Sequence, residues 1–221
     1  MQEAAQRPYV SPLRREQALE TQRRILAAAE ALFLAHGYAS TTMAAVAREA
    51  GVSPQTVYNG FGTKAALAKR LYDVRLAGDD EPIPMAQRPA FQELARETDP
   101  HRALLAYARI GRQIAERVGG VQAVLIAGAA AGDPDLADLV ATTEKEREIG
   151  TGHMARKLAD LGALKPQLGV ERAGDLLWTL TAPELFRRLT ADRGWSLDEY
   201  ERWLGDTMIA SLLTMSVASS T

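Results

Sequence analysis

The sequence predicts an all-α protein in two parts, a small three-helix N-terminal domain followed by a larger helical body. Apolar residues recur at three- and four-residue spacing along most of the chain, the period of helices that bury one face. Alanine, leucine, arginine and glutamate fill those stretches, glycine and proline interrupt them, and no alternating strand pattern breaks into the N-terminal part. Between Gly78 and Pro89 the run GDDEPIPMAQRP gathers three prolines with an acidic cluster, the mark of a linker. The expected divisions are a flexible arm at 1–15, a first domain at 16–77, the linker at 78–90 and the body at 91–221.

The first helix is expected from Glu16 to His36, where Ile25, Leu26, Ala29, Leu32 and Phe33 form one apolar stripe. Gly37 is expected as its left-handed C-terminal cap, and His36 as a helix-end residue favoured by the dipole. In Thr41-Thr42-Met43 a threonine can cap a short helix through Ala50 that turns Met43, Val46 and Ala47 inward. Gly51 breaks that helix, Val52 packs inward, and Ser53 caps another that starts at Pro54 and ends near Phe61-Gly62. Thr63 caps a fourth, carrying Leu67 and Leu71. In the body, helices are expected at roughly 91–97, 101–118, 121–131, 134–161, 170–192 and 196–216, separated by Gly119-Gly120, Asp133-Pro134, the Gly162 to Gly169 segment and Gly194-Trp195-Ser196. Asp133 and Ser196 read as N-caps, and Glu199 completes a capping box with Ser196. Pro183 is expected to kink or divide its helix near Ala182.

A chain of 221 residues with 47% apolar and 24% charged residues can bury a core, which argues against disorder. No stretch approaches the roughly 20 apolar residues of a membrane span, and the N-terminus lacks the apolar core of a secretory signal, so a cytoplasmic protein is expected. The absence of cysteine excludes disulfides and thiolate metal sites. HExxH, a glycine-rich phosphate loop and a GxSxG elbow are all missing, and the three histidines are scattered, so no catalytic site, metal or cofactor is expected. The net charge of −2 divides unevenly: ten Lys and Arg face six Asp and Glu through residue 78, leaving +4 there and −6 on the rest. A positive head on an acidic body suits contact with phosphate at one end only.

Two short helices joined by a glycine turn, the second with small polar residues outside, are what a helix-turn-helix requires. TMAAVAREAGVSPQTVYNGFGTKAAL supplies each part. Ala47 is small where the helices cross, Gly51 permits the turn, and Val52 and Val57 pin the second helix. Ser53, Pro54, Gln55, Thr56, Tyr58 and Asn59 are left outside. Gln55 and Asn59 carry amides suited to adenine's N6 and N7, and Thr56 offers a hydroxyl and a methyl. Thr42, Tyr58 and Lys64 suit phosphates, Lys64 in the first turn of the fourth helix. A sequence-specific reader of double-stranded DNA is the expectation.

The stretch RRILAAAEALFLAHGYASTTMAAVAREAGVSPQTVYNGFGTKAAL, within about Arg23 to Leu71, resembles the DNA-binding domain of the TetR family of bacterial transcriptional regulators. The resemblance implies an all-α homodimer whose C-terminal domain binds a small effector and dimerises through its last two long helices. It further implies a repressor released from a palindromic operator by ligand, although some relatives activate. Thr42 falls on the family's backbone-contacting residue, Pro54, Gln55, Thr56, Tyr58 and Asn59 on its recognition surface, and Lys64 on its phosphate-binding lysine. Gly60 departs from the pattern, standing where members often carry an aromatic or histidine. DLLWTLTAPELFRRL with RGWSLDEYERWL also resembles the C-terminal sequences of one subset.

The last two helices are apolar on more than one face, so partners are needed on both sides. Leu177, Leu180, Phe186, Tyr200, Trp203, Met208 and Leu212 are the candidate dimer residues, forming a four-helix interface with the two-fold copy. An apolar pocket in the body is expected to hold the effector, with His101, Tyr107, Ile114, Leu125, Met154 and Trp178 as candidate lining. An activator of the same fold and an effector-independent DNA-binding protein are the alternatives.

Overall fold

Ten α-helices account for most of the described residues, 12–214, of the computed structural model. Residues 1–11 and 215–221 lie outside them, and with them most of the expected N-terminal arm and the end of the last expected helix. Contacts divide the chain after Leu71, ahead of the expected boundary at 77.

In the first unit, α1 (Pro12–Ser40) starts inside the expected arm, at a proline, which suits a first helical turn. Gly37 interrupts it with φ 79° and ψ 166°. The positive φ is as expected of glycine, but ψ is extended rather than left-handed helical, so the chain turns sharply instead of closing a standard cap. Then come α2 (Met43–Ala50), α3 (Pro54–Phe61) and the start of α4 (Lys64–Ala77). Thr42, Ser53 and Thr63 cap them as expected, each accepting a backbone N–H three residues on at 3.0–3.1 Å. Ile25, Leu26, Ala29, Phe33, Val46, Ala47, Val57 and Leu67 are buried.

The second unit begins with the rest of α4, whose Arg75 and Leu76 carbonyls accept from Arg117 at 3.0 and 3.1 Å. The connection that follows is pinned. Arg88 meets Asp79 in a bidentate pair at 2.6 and 2.9 Å, and Met85–Gln87 forms a 3₁₀ turn before α5 (Pro89–Arg96). Next are α6 (Pro100–Ala130), α7 (Pro134–Asp160), α8 (Val170–Leu180), α9 (Pro183–Arg187) and α10 (Leu197–Leu212). Helix α7 packs along α6 and α8, and α10 lies across α6 and α8. Leu104, Ala108, Ala155, Leu158, Leu177, Leu204 and Met208 meet at the centre.

Two boundaries differ from expectation or refine it. Gly119-Gly120 does not divide α6, which runs straight through it. Val118, Val121 and Gln122 are buried around the pair, and a side chain on Gly119 would touch Phe186, so packing outweighs glycine's poor helix propensity. Pro183 does divide the next helix, at Thr181-Ala182, and is followed by a π turn over Arg188–Asp192. Ser196 and Glu199 form the expected capping box. Beyond α10, Leu213 pairs with Leu164 in an isolated antiparallel bridge.

Pairing with Arg88 moves the titration of Asp79 downward. Hydrogen bonds from Arg88, then from the Glu81 N–H, hold the Asp79 carboxyl at about 2, down from 3.8. A depressed carboxylate stabilises the fold above its unfolded pKa and loses that contribution as pH falls toward the folded value. A carboxyl NMR titration is expected to place the Asp79 midpoint near 2 and, in Arg88→Gln, back toward 3.8. A wild-type midpoint at 3.8 would mean that the clasp is open in solution. In the core, Leu204→Ala is expected to cost about 2–5 kcal/mol in urea unfolding at unchanged m. Leu105→Ala, at a site 43% exposed, should cost well under that.

Candidate nucleic-acid interface

Helix α2 is an eight-residue element that buries Met43, Val46, Ala47 and Ala50 on one side. The Thr42 hydroxyl caps it by accepting from the Ala45 N–H. At its other end Gly51 takes φ 65° and ψ 39°, the left-handed conformation that glycine adopts without steric cost. The Gly51 N–H then reaches the Arg48 carbonyl and the Val52 N–H the Ala47 carbonyl, closing the helix and starting the turn.

Two residues later α3 begins. The Ser53 hydroxyl accepts the Thr56 N–H at 3.1 Å and shares a 2.8 Å hydrogen bond with the Thr56 hydroxyl. Pro54 opens the helix, Val57 is buried beneath it, and Gly62 ends it at φ 70°. Pro54, Gln55, Tyr58, Asn59 and Gly60 are exposed, Tyr58 to 50%, while Thr56 is half-buried. Gln55 donates from Nε2 to Asn59 Oδ1 at 2.7 Å, so the two amides sit together on the outer face. That leaves Gln55 Oε1 as acceptor and Asn59 Nδ2 as donor. Gly60 keeps ordinary helical backbone with open space around its Cβ position, so neither the turn nor the core requires glycine there.

Lys64 is placed differently from a residue waiting for phosphate. Half-buried, its Nζ donates to the Tyr38 carbonyl at 2.9 Å and the Thr41 carbonyl at 3.0 Å. It also sits 4.0 Å from the Tyr38 ring centroid, a cation–π arrangement. It thus ties the end of α1 and the approach to α2 onto the start of α4. Arg24, which the sequence pattern does not single out, does the same for the turn: from α1 its Nη2 donates to the carbonyls of Ala50 and Gly51. Only a fold that brings residues 26 and 27 positions apart together creates these contacts, so no local spacing reveals them.

The body disperses the residues expected to line a pocket. Leu125 and Met154 are buried, Tyr107 and Ile114 pack against the core, and His101 is exposed on the first turn of α6. Burial raises the Tyr107 phenol to about 12, so it stays neutral. Trp178 alone of the six lines a groove of about 600 Å³ between α7 and α8, with Ile149, Val170, Glu148, Arg156 and Glu171. The guanidinium of Arg147 lies 4.5 Å from the Trp178 ring. Among the described residues no group of His, Asp and Glu is arranged to hold a metal ion.

The residues expected at a dimer interface divide by burial. Leu177, Tyr200, Met208 and Leu212 are at most 1% exposed within a single chain, so they are core and offer no surface to a partner. The apolar excess of these helices is absorbed by α6 and α7 instead. Phe186 stands edge-on to Tyr200 at 5.0 Å, and Trp203 lies 5.8 Å from the same ring. Leu180, Phe186 and Trp203 are half-buried at the edge of this cluster. Large apolar groups that do reach the surface include Leu176 and Trp178 on α8 and Ile149 on α7.

Comparison with known proteins agrees with this geometry. Residues 25–71 match the profile of the family described as "Bacterial regulatory proteins, tetR family", a span that runs from the buried stripe of α1 into α4. The HTH-type transcriptional regulator MT2310 of Mycobacterium tuberculosis is 29% identical over 180 residues, covering 77% of this chain and 91% of that one. Among solved structures, NalD of Pseudomonas aeruginosa, described as the secondary repressor of the MexAB-OprM multidrug efflux pump, superposes with a TM-score of 0.70 at 21% identity, over 90% of this chain and 98% of its own. SmeT, solved as a complex with triclosan, gives 0.69 at 22% identity, over 90% and 94%. No helix among the described residues is long and apolar enough to cross a membrane. Residues 25–71, which hold the capped turn and the exposed amide face of α3, are thus similar to the family of bacterial regulatory proteins of the tetR type, and the chain shares the fold of the solved regulators.

Proposed function

We propose that the protein is a cytoplasmic homodimeric repressor that leaves a palindromic operator when a small molecule binds its body. The observation that carries the reading is the exposed Gln55–Asn59 pair on a helix whose other side is anchored by Val57. One acceptor and one donor, held side by side, complement the N6 and N7 edge of adenine. Pro54, Thr56 and Tyr58 flank the pair; the Thr42 hydroxyl, though engaged as a cap, still has a proton to give a phosphate, as does one of the two hydroxyls of the Ser53–Thr56 pair. Lys64 brings positive charge to the same surface, with its carbonyl bonds setting where that charge stands. NalD, described as a repressor, and SmeT, solved with triclosan, support repression and effector binding by this fold.

For the dimer, the accessible part of α8 is the proposed contact. Leu176 is 36% exposed and lies one turn from half-buried Leu180, so the two share a helix face. Phe186 and Trp203 are likewise half-buried at the edge of the core, around Tyr200. A two-fold pairing of this face would give the dimer two copies of α3, one for each half-site.

Selection from random duplexes with the purified protein tests the whole reading. It is expected to return inverted repeats with half-sites about one helical turn (~34 Å) apart or somewhat more. Only asymmetric sites would contradict the dimeric reading, and a reporter that rises with protein expression would make the protein an activator. On the selected site Gln55→Ala is expected to cost roughly 1–3 kcal/mol and to relax preference at one position. The loss with Asn59→Ala should be less than additive because the two amides are bonded to each other. Equal losses on selected and random DNA would argue against base reading. Leu176→Asp is expected to move the protein toward monomer in sedimentation velocity, and an unchanged dimer would put the interface elsewhere.

A further inference from the structure

We propose that Arg24 is a positioning residue for DNA recognition: from α1 it holds the turn between α2 and α3 at the angle that presents Gln55 and Asn59. The proposal rests on the reading that α3 contacts base edges.

The case starts from the carbonyls at the end of α2. An α-helix leaves its last four carbonyls without internal partners. Here the Gly51 and Val52 N–H groups take those of Arg48 and Ala47, and Arg24 Nη2 takes those of Ala50 and Gly51. The carbonyl ends of a helix carry partial negative charge, which favours a cation there. Space matters as much as charge, because a Cβ on Gly51 would stand 3.0 Å from Arg24 Nη2. Gly51 therefore serves twice, supplying the positive φ of the turn and leaving room for the guanidinium. At the other end of α2, Lys64 grips the carbonyls of Tyr38 and Thr41. Cations from neighbouring helices thus tie down the segment just ahead of α2 and the turn just after it.

A turn held in this way sets the aim of the helix that follows. Asn59 is eight residues past Gly51, a lever of about 12 Å at 1.5 Å per residue. A tilt of about 5° at the turn moves its amide by about 1 Å, beyond the roughly 0.5 Å that a binding constellation tolerates. Val57 anchors the middle of α3 but does not set the direction of its outer face. Arg24 sets that direction.

The test uses the full chain, the duplex recovered by random-site selection and a random duplex of equal length. Arg24→Met keeps the aliphatic stem and removes the donors, and Arg24→Lys keeps charge with reach to one carbonyl. Arg24→Met is expected to lower affinity for the selected site about ten-fold, with less than about a two-fold change on random duplex and an unchanged slope of log K against log salt. Arg24→Lys should recover part of the loss. Gly51→Ala should reduce selectivity more in wild type than in Arg24→Met, where no guanidinium remains to be displaced. Thermal melting followed by circular dichroism accompanies each variant. Equal losses on both duplexes with a slope smaller by about one would make Arg24 a phosphate contact and overturn the proposal. Equal losses that track a fall in melting temperature would reduce it to a stabilising residue, and undiminished selectivity in Arg24→Met would end it while leaving base reading by α3 intact. A wild-type protein with no preference for any duplex would overturn the base-reading premise itself.

Discussion

The N-terminal unit depends on finding partners for the backbone at the ends of very short helices. Helices α2 and α3 have eight residues each, and an α-helix leaves four N–H and four C=O groups open at its ends. Half of the polar backbone of each helix must be satisfied from outside, and neither would persist in isolation at that length. Thr42, Ser53 and Thr63 meet N–H groups, Gly51 and Arg24 meet carbonyls at the end of α2, and Lys64 takes those of Tyr38 and Thr41 just ahead of it. These duties come before any contact with DNA. On α3, Gln55, Tyr58 and Asn59 are exposed polar residues with no capping role, and they form the stripe proposed to read bases.

That division explains what could be read from sequence. Caps and turns are local: a hydroxyl three residues before the N–H it accepts, a glycine where φ is positive, a proline at a first turn. Thr42, Ser53, Thr63, Asp133, the Ser196–Glu199 box and the break at Pro183 all fall where such rules place them. Tertiary contacts follow no such rule. The Lys64 side chain has the same composition and spacing whether it faces solvent or two carbonyls, and Arg24 is one of four arginines along α1. Gly119-Gly120 carries a break signal that Phe186, 67 residues later in the chain, helps to cancel.

The body poses the complementary difficulty. An apolar stripe announces burial but not the identity of the burying surface. Leu177, Tyr200, Met208 and Leu212 have the character of interface residues, yet α6 and α7 cover them within one chain. What separates core from interface is residual exposure, a property of the packed helices together. Leu176, adjacent to Leu177 and equally apolar, lies on the uncovered side.

Both units share one device for ending helices. Besides Arg24 at α2 and Lys64 at α1, Arg117 donates to the last carbonyls of α4, and Lys157 to those of Ala95 and Glu97 at the end of α5. Arg147 reaches Trp178 near the end of α8, and Lys165 reaches Ala210 in the last turn of α10. Each cation comes from a different helix or from a connecting segment, so every such bond fixes one element's end to another part of the same unit. The net worth of a single bond of this type is modest, but a buried carbonyl stripped of its donor loses more than the bond contributes. Removing one of these side chains therefore costs most where the bond is partly buried, as at Ala50, Tyr38, Thr41, Arg75 and Leu76. Arginine and lysine are also not interchangeable in the role: the planar fork of Arg117 spans two successive carbonyls, whereas Lys64 reaches two carbonyls three residues apart from a single point. In the N-terminal unit Arg24 and Lys64 are structural ties whatever they offer to phosphate. A positive N-terminal segment is accordingly a weaker measure of DNA contact than the stripe of uncharged amides on α3.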